Sequence, residues 1–239
     1  TGRARGASPC LRLHKTAFLR IVGRFREELE QRMHLQDLDL SMEDLQVRAV
    51  VGRGSFGVVK LVHDRADETR RYALKCLSKQ QVVREAQQRF VCVERDISAQ
   101  CYHPCIAQFI KTFQDDTHVY FLTEFLDGGE LWQAIRDIGQ IPKHYSQFYS
   151  ASMVLALDYL HSRGIMYRDL KPENVMLDSR GNAKLIDLGC CKKALRTYTI
   201  VGTPEYMAPE VILPIRGYTR AVDWWSLGVM MHEFIVGPL

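Results

Sequence analysis

The spacing of apolar and polar positions changes twice along this chain. Between residues 10 and 33 a short strand-like Cys10-Leu-Arg-Leu13 gives way to Phe18, Ile21, Val22, Phe25, Leu29 and Met33. These recur at helical spacing and predict a helix with one apolar face, bent or divided at Gly23. Residues 34–44 are polar and acidic and read as a linker. From Val50 the period shortens towards two. β-Branched residues flank Gly52, Gly54 and Gly57 on both sides, which predicts a hairpin with the glycines at its turn. Arg71–Leu77 alternates as a third strand, placing Ala73 and Lys75 on the same side, and Val119–Leu126 forms another. A helix is expected over 82–100. At Asp127-Gly-Gly129 the strand pattern breaks and helical spacing follows. The helix over 144–163 has Val154, Leu155, Leu157 and Leu160 among its expected buried positions and Gly164 as its C-terminal cap. A second helix, over 222–236, is apolar nearly all round, a pattern that normally means burial.

These elements predict an α+β fold of two lobes, one rich in strands and one helical, preceded by a helical segment. At 239 residues and 46% apolar content the chain can bury a full core. Charge changes the picture little. Residues 1–36 hold eight Lys/Arg against three Asp/Glu, and the remainder holds 24 against 25, so the main body has no basic surplus for nucleic acid. Seven cysteines at irregular spacing match neither a disulfide framework nor a zinc pattern, and reduced thiols in a cytoplasmic protein are expected. Cys190-Cys191 reads as two small buried side chains rather than a redox pair. No apolar run reaches the length of a membrane span.

The chemistry concentrates in Tyr167-Arg-Asp-Leu-Lys-Pro-Glu-Asn174. Pro172 keeps Lys171 out of helical geometry, so the stretch is a loop carrying a carboxylate (Asp169), an ammonium (Lys171) and a carboxamide (Asn174). Val175–Leu177 and Lys184–Ile186 read as short strands around the turn residues Asp178-Ser-Arg-Gly-Asn182, which returns Asp187 to the side of Asn174. Two neighbouring oxygen ligands, one charged, suit Mg²⁺ when substrate phosphates supply the rest. A glycine-rich turn lets backbone N–H groups approach phosphate oxygens, and Lys75 turned inward needs an anion. Together they indicate phosphoryl transfer.

Over residues 45–239 these motifs resemble the eukaryotic protein kinases. Gly52-x-Gly54-x-x-Gly57-x-Val59 is similar to the glycine-rich lid, Tyr72-Ala-Leu-Lys75 to the strand lysine, and Glu94 to its helical partner. Tyr167-Arg-Asp with Asn174 is similar to the catalytic loop, and Asp187-Leu-Gly189 and Ala208-Pro-Glu210 bound an activation segment. The resemblance implies a kinase domain at 45–239, with an N-lobe and hinge over 45–126 and a partial C-lobe over 127–239. It implies Asp169 as the base that orients the substrate hydroxyl, Lys171 neutralising the transferring group, and Asn174 and Asp187 holding Mg²⁺. Lys75, fixed by Glu94, would hold the ATP phosphates. Val51, Val59, Ala73 and Met176 would sandwich adenine, Glu124 and Leu126 would supply hinge backbone, and the small Thr123 would open a pocket behind the base.

Lys171-Pro-Glu resembles serine/threonine kinases. Tyr167, Gly202-Thr-Pro-Glu-Tyr206 and Val222-Asp-Trp-Trp-Ser-Leu-Gly228 resemble the AGC group. Gly128-Gly-Glu-Leu-Trp132 and Ser41-Met-Glu-Asp-Leu45 resemble the cyclic-GMP-dependent kinases within it, and residues 1–33 resemble the end of a cyclic-nucleotide-binding domain without its binding cassette. The resemblance thus implies a cGMP-regulated serine/threonine kinase, with a non-catalytic ATP-binding module as the alternative. Thr199 falls at the activation-loop phosphorylation site, with Arg168 and Lys192 as its cationic partners. Glu130, Glu173 and Glu233 fall where basophilic kinases read substrate arginines. Asp223 would hold the backbone of Arg168 and Asp169.

Four departures bear on function. Leu188 replaces the usual Phe after the metal-binding aspartate. Ser98 stands where a bulky apolar residue normally completes a stack with Phe109, Leu188 and Tyr167, which predicts a loosely held helix. Phe90 occupies the place of a phosphate-binding His, which predicts a weaker response to Thr199 phosphorylation. Finally, the apolar helix 222–236 is followed only by Gly237-Pro-Leu239, so an exposed apolar patch and a Glu210 without its usual arginine are expected.

Overall fold

The structure, a computed structural model, describes residues 39–54 and 57–238. The expected nucleotide-binding remnant over 1–33 and residues 34–38 of the linker lie outside these residues. By contacts, Leu38–Leu239 forms one compact unit.

Five antiparallel strands make the first lobe: β1 (Leu45–Gly54), β2 (Gly57–Asp64), β3 (Arg71–Ser78), β4 (Phe109–Gln114) and β5 (His118–Glu124). Their order is β1-β2-β3-β5-β4. Gly54 pairs with Gly57 at the expected hairpin. A Cβ at Gly57 would stand 1.8 Å from the Cys76 carbonyl oxygen, so this glycine is a condition of the β2–β3 approach. In β3 the alternation sends Tyr72, Leu74 and Cys76 into the buried face, with Ala73 and Lys75 on the other.

The helix expected over 82–100 is two helices, α1 (Lys79–Arg84) and α2 (Gln88–Ser98). Ala86, at φ 54°, turns the chain between them. Val82 anchors α1 against Leu77 and Phe121, whereas α2 buries Glu94 and Ile97. Two faces that must point at different neighbours cannot share one straight helix. No glycine or proline marks the break.

The second lobe is built on α3 (Leu131–Ile138), α4 (Lys143–Ser162), α5 (Pro209–Ile212) and α6 (Ala221–Val236). Short antiparallel pairs carry the loops: β6 (Ile165–Met166) pairs with β9 (Lys192–Lys193), and β7 (Val175–Leu177) forms a hairpin with β8 (Ala183–Leu185). Gly164, at φ 71°, follows α4 as expected. Leu157 and Leu160 are buried, but Val154 and Leu155 are 41% and 56% exposed. The buried stripe is Met153, Ala156, Leu157 and Leu160, and the helical period puts 154 and 155 on the opposite side. Helix α6 buries one face through Val222, Leu227, Met230 and Phe234, while Trp225, Ile235 and Val236 stay exposed. Glu210 is exposed and makes no salt bridge among the described residues. Among the described residues no helix is long and apolar enough to cross a membrane.

Candidate active site

A cavity of about 420 Å³ lies between the lobes. Strands β1–β3 contribute Val51, Gly52, Val59, Ala73 and Lys75. The segment after β5 contributes Glu124, Leu126 and Glu130, and the β7–β8 hairpin closes the floor with Met176 and Asp187. Gly54 and Gly57 lie outside this lining, on the turn whose residues 55–56 are not described. Thr123 also lines the cavity, and its hydroxyl donates to the Ala73 carbonyl at 3.5 Å. Ser98, Phe109, Phe121 and Leu188 line the same cavity beyond it.

Lys75 Nζ donates to Glu94 Oε1 at 2.6 Å and lies 3.6 Å from Asp187 Oδ1. Burial alone would lower the Lys75 pKa, but the Asp187 and Glu94 carboxylates outweigh it and hold the ammonium well above its ordinary value. Burial raises Glu94, with Asp187 adding to the rise and Lys75 opposing it. Burial would also raise Asp187, but Lys75 and the Gly189 N–H hold it below the usual carboxylate range. The two carboxylates around one ammonium are thus driven apart in acidity.

The loop from Tyr167 is held by a single buried side chain. Asp223, on α6 and 0% exposed, accepts the Tyr167 N–H through Oδ2 (2.9 Å) and the Arg168 N–H through Oδ1 (2.7 Å). His161 Nε2 lies 2.7 Å from the same Oδ2. Of the two residues expected to be held, Arg168 is; the other is Tyr167 rather than Asp169. Arg168 has φ 73° and Asp187 φ 54°, conformations that L side chains adopt only when their surroundings impose them. Gly202 packs so closely on this loop that a Cβ would lie 2.5 Å from the Arg168 carbonyl oxygen.

Asp169 then faces a ring of polar groups. Its Oδ1 accepts the Thr203 hydroxyl at 2.7 Å, and its Oδ2 accepts Asn174 Nδ2 at 3.0 Å. Lys171 Nζ donates to the Thr203 oxygen at 2.7 Å and lies 3.8 Å from Asp169. Thr203 is a member of this group that sequence spacing missed. It comes from the activation segment, 34 residues beyond Asp169, and only the fold returns it.

On that segment, Lys192 Nζ donates to Thr197 at 2.8 Å and to Thr199 at 3.4 Å. Tyr218 donates its hydroxyl to the Thr199 carbonyl and accepts from Arg168 at 3.2 Å. Among the described residues the buried Arg168 guanidinium otherwise donates to the Cys190 carbonyl (2.7 Å), so this side chain's hydrogen-bond partners are neutral. Arg89, on α2, adds a third cation. Burial, then the charges of Arg168 and Arg89, lower the Lys192 pKa. Arg89 belongs to no motif in the sequence, and only the fold brings its charge to Lys192.

The three acids expected at a basic substrate differ. Glu130 is exposed, and Glu173 is partly buried with a buried Oε2 that has no hydrogen-bond partner among the described residues. Glu233 is 2% exposed and accepts the Tyr206 hydroxyl at 2.6 Å. Cys191 is buried, and burial pushes the half-buried Cys190 thiol up to about 11 and raises Cys191 well above the usual thiol range. Thiols so protonated react slowly.

The protein kinase domain model matches residues 45–239, and the chain belongs to the protein kinase family. The chain is 52% identical over 227 residues to the cGMP-dependent protein kinase of Toxoplasma gondii, covering 94% of this chain and 23% of that protein. To the cGMP-dependent protein kinase of Plasmodium berghei it is 49% identical over 232 residues, covering 96% and 27%. To isozyme 1 of the Drosophila melanogaster enzyme it is 42% identical over 219 residues, covering 89% and 28%. The chain therefore spans about a quarter of the length of the relatives it matches.

Proposed function

We propose that the domain over 45–239 transfers the γ-phosphoryl group of ATP to serine or threonine hydroxyls in protein segments bearing basic residues, and that cGMP bound upstream regulates it in the full-length protein. The observation that carries the chemistry is the Asp169 carboxylate, oriented at both oxygens by Thr203 and Asn174 with Lys171 beside it. Asp169 accepts the hydroxyl proton as the substrate oxygen bonds to the γ-phosphorus and the bond to the β-bridging oxygen breaks, releasing ADP. Lys171 places positive charge where negative charge develops, and its bond to Thr203 fixes that position before reaction. Lys75, kept protonated by Glu94 and Asp187, holds the α- and β-phosphates.

The residues present fit Mg²⁺. No group of three or more His, Cys, Asp or Glu suited to a metal occurs among the described residues, so the protein offers few ligands of its own. Asn174 spends its Nδ2 on Asp169 and keeps Oδ1, and Asp187 engages Gly189 and Lys75 through Oδ1 and keeps Oδ2. Two hard oxygens completed by phosphates and water suit this ion, which supplies neutralising charge on the phosphates when bound.

Regulation and substrate choice follow from charge. Phosphate on Thr199 meets Arg168, Lys192 and Arg89, none of which is paired to a carboxylate among the described residues. The Oε2 of Glu173, without a hydrogen-bond partner among the described residues, supports the reading that a substrate guanidinium is met there. Control by cGMP is supported by the names of the relatives. No observation favours a non-catalytic module. Transfer of radiolabelled phosphate to an arginine-rich peptide tests the reading. Asp169→Asn is expected to lower kcat by about 10²–10⁴-fold while ATP still binds. Equal rates in variant and parent would remove Asp169 from the chemistry.

A further inference from the structure

Strand β8 is only three residues long and wholly buried, yet its middle residue is a lysine. Leu185 points one way, into the core, and its backbone is stitched to the segment before β4. Its N–H donates to the Cys105 carbonyl at 2.8 Å and its carbonyl accepts the Ala107 N–H at 2.9 Å. Period two sends Lys184 the other way. There Nζ reaches Glu124, 2.8 Å from Oε2 and 3.0 Å from Oε1, with both side chains under a tenth exposed.

Glu124 is the last residue of β5 and lines the cavity. Its backbone N–H donates to the Gln108 carbonyl at 2.9 Å, and its Oε1 accepts the Gln108 N–H at 2.7 Å. The β4–β5 register shifts just beyond, between Phe109 and Lys111, so the carboxylate takes over where the ladder is irregular. One carboxylate thus joins the hinge end of the upper sheet to the hairpin that delivers Asp187, three residues after Lys184. A buried ion pair gains little net stability over apolar packing, but losing one partner leaves a buried charge. Its contribution here is therefore sought in geometry.

We propose that Lys184, through Glu124 and the Gln108 backbone, is a positioning residue for the purine base. With its N–H taken by Gln108, Glu124 presents its carbonyl as the backbone group for the edge of the base. Lys184 keeps that group in register with the floor of the cavity. The inference rests on reading the cavity as the ATP site.

Steady-state kinetics on the full-length protein, with ATP and an arginine-rich peptide each varied, test it. Lys184→Met is expected to raise KM for ATP about tenfold, because misplacement by a fraction of an ångström is enough to disturb binding geometry. The peptide KM and kcat should stay within about twofold. Lys184→Arg keeps the charge and should restore the ATP KM. Because Lys184→Met strands a buried carboxylate, the double variant Lys184→Met/Glu124→Leu separates folding from positioning. It should melt near the parent temperature and still show the raised ATP KM. A well-folded double variant with the parental ATP KM overturns the proposal, as does an equal loss of kcat and peptide binding in both variants. Failure of the unmodified protein to bind ATP would instead remove the reading of the cavity, and this proposal with it.

Discussion

The catalytic loop and helix α2 face each other across the cleft and are held in opposite ways. Asp169 has partners at both carboxylate oxygens, and its loop hangs from Asp223, which is fully buried and satisfied by two backbone N–H groups and His161. Helix α2 has no side-chain cap at its start, buries only Glu94 and Ile97, and reaches the cavity with Ser98 where a bulky apolar residue would pack. Its main tie to the chemistry is the Lys75–Glu94 ion pair. The lower lobe presents reacting groups in a fixed arrangement. The upper lobe presents Glu94 on an element with few contacts to hold it, and elements of that kind open most readily.

The comparison can be broken at four points. The largest effect is expected from Asp223→Ala, which strands two buried N–H groups and leaves positive-φ Arg168 unsupported. Unfolding in denaturant should show a loss of about 3–5 kcal/mol. A variant within 1 kcal/mol of the parent would mean that the loop holds itself.

Acid should separate the two regions next. Glu94, raised by burial, takes up a proton above the ordinary glutamate range, and the folded state accepts that proton more readily than the unfolded chain. ATP affinity should therefore fall on acidification without any loss of fold stability. Asp187, held low, contributes stability that is fully present above the ordinary aspartate pKa and is lost only as pH falls through the depressed one. ATP titrations and thermal melts across pH should show binding failing first, and simultaneous failure would contradict this order.

A smaller effect belongs to Arg89. Phe90 alone suggests a weak response to phosphate on Thr199, but the charge of Arg89 is felt at Lys192 from the adjacent position of α2. Arg89→Ala should reduce the activation gained on Thr199 phosphorylation by about tenfold, the value of one charge-assisted hydrogen bond. Activity of the unphosphorylated protein should hardly change. The smallest is Ser98→Leu. Added apolar area beside Phe109 and Leu188 should raise basal activity severalfold, roughly what one or two buried methylene groups contribute. Unchanged basal activity would show that α2 is already firmly placed.

Much of this was legible without coordinates, and for a physical reason. Gly52, Lys75 and Asp187, which line the cavity, and Asp169 and Asn174, which bond to each other, sit on strands, turns and loops whose local patterns are short-range and strong. The same local logic failed at Ala86, where no residue type announces a turn, and at Val154 and Leu155, where apolar character did not reveal which face was buried. Asp223 was assigned to the right loop but to one wrong residue, because a resemblance carries a contact only approximately.

What sequence alone determined is the set of groups: Lys75, Asp169, Asn174 and Asp187 in chain order, the set that the proposed phosphoryl transfer would use. What tertiary structure decided is the company those groups keep. Thr203 joins Asp169, Arg89 joins Lys192 and Lys184 joins Glu124, across separations of 34, 103 and 60 positions. Hydrogen bonds and charges act over a few ångströms, and at such separations only packing of the whole chain sets which groups come that close.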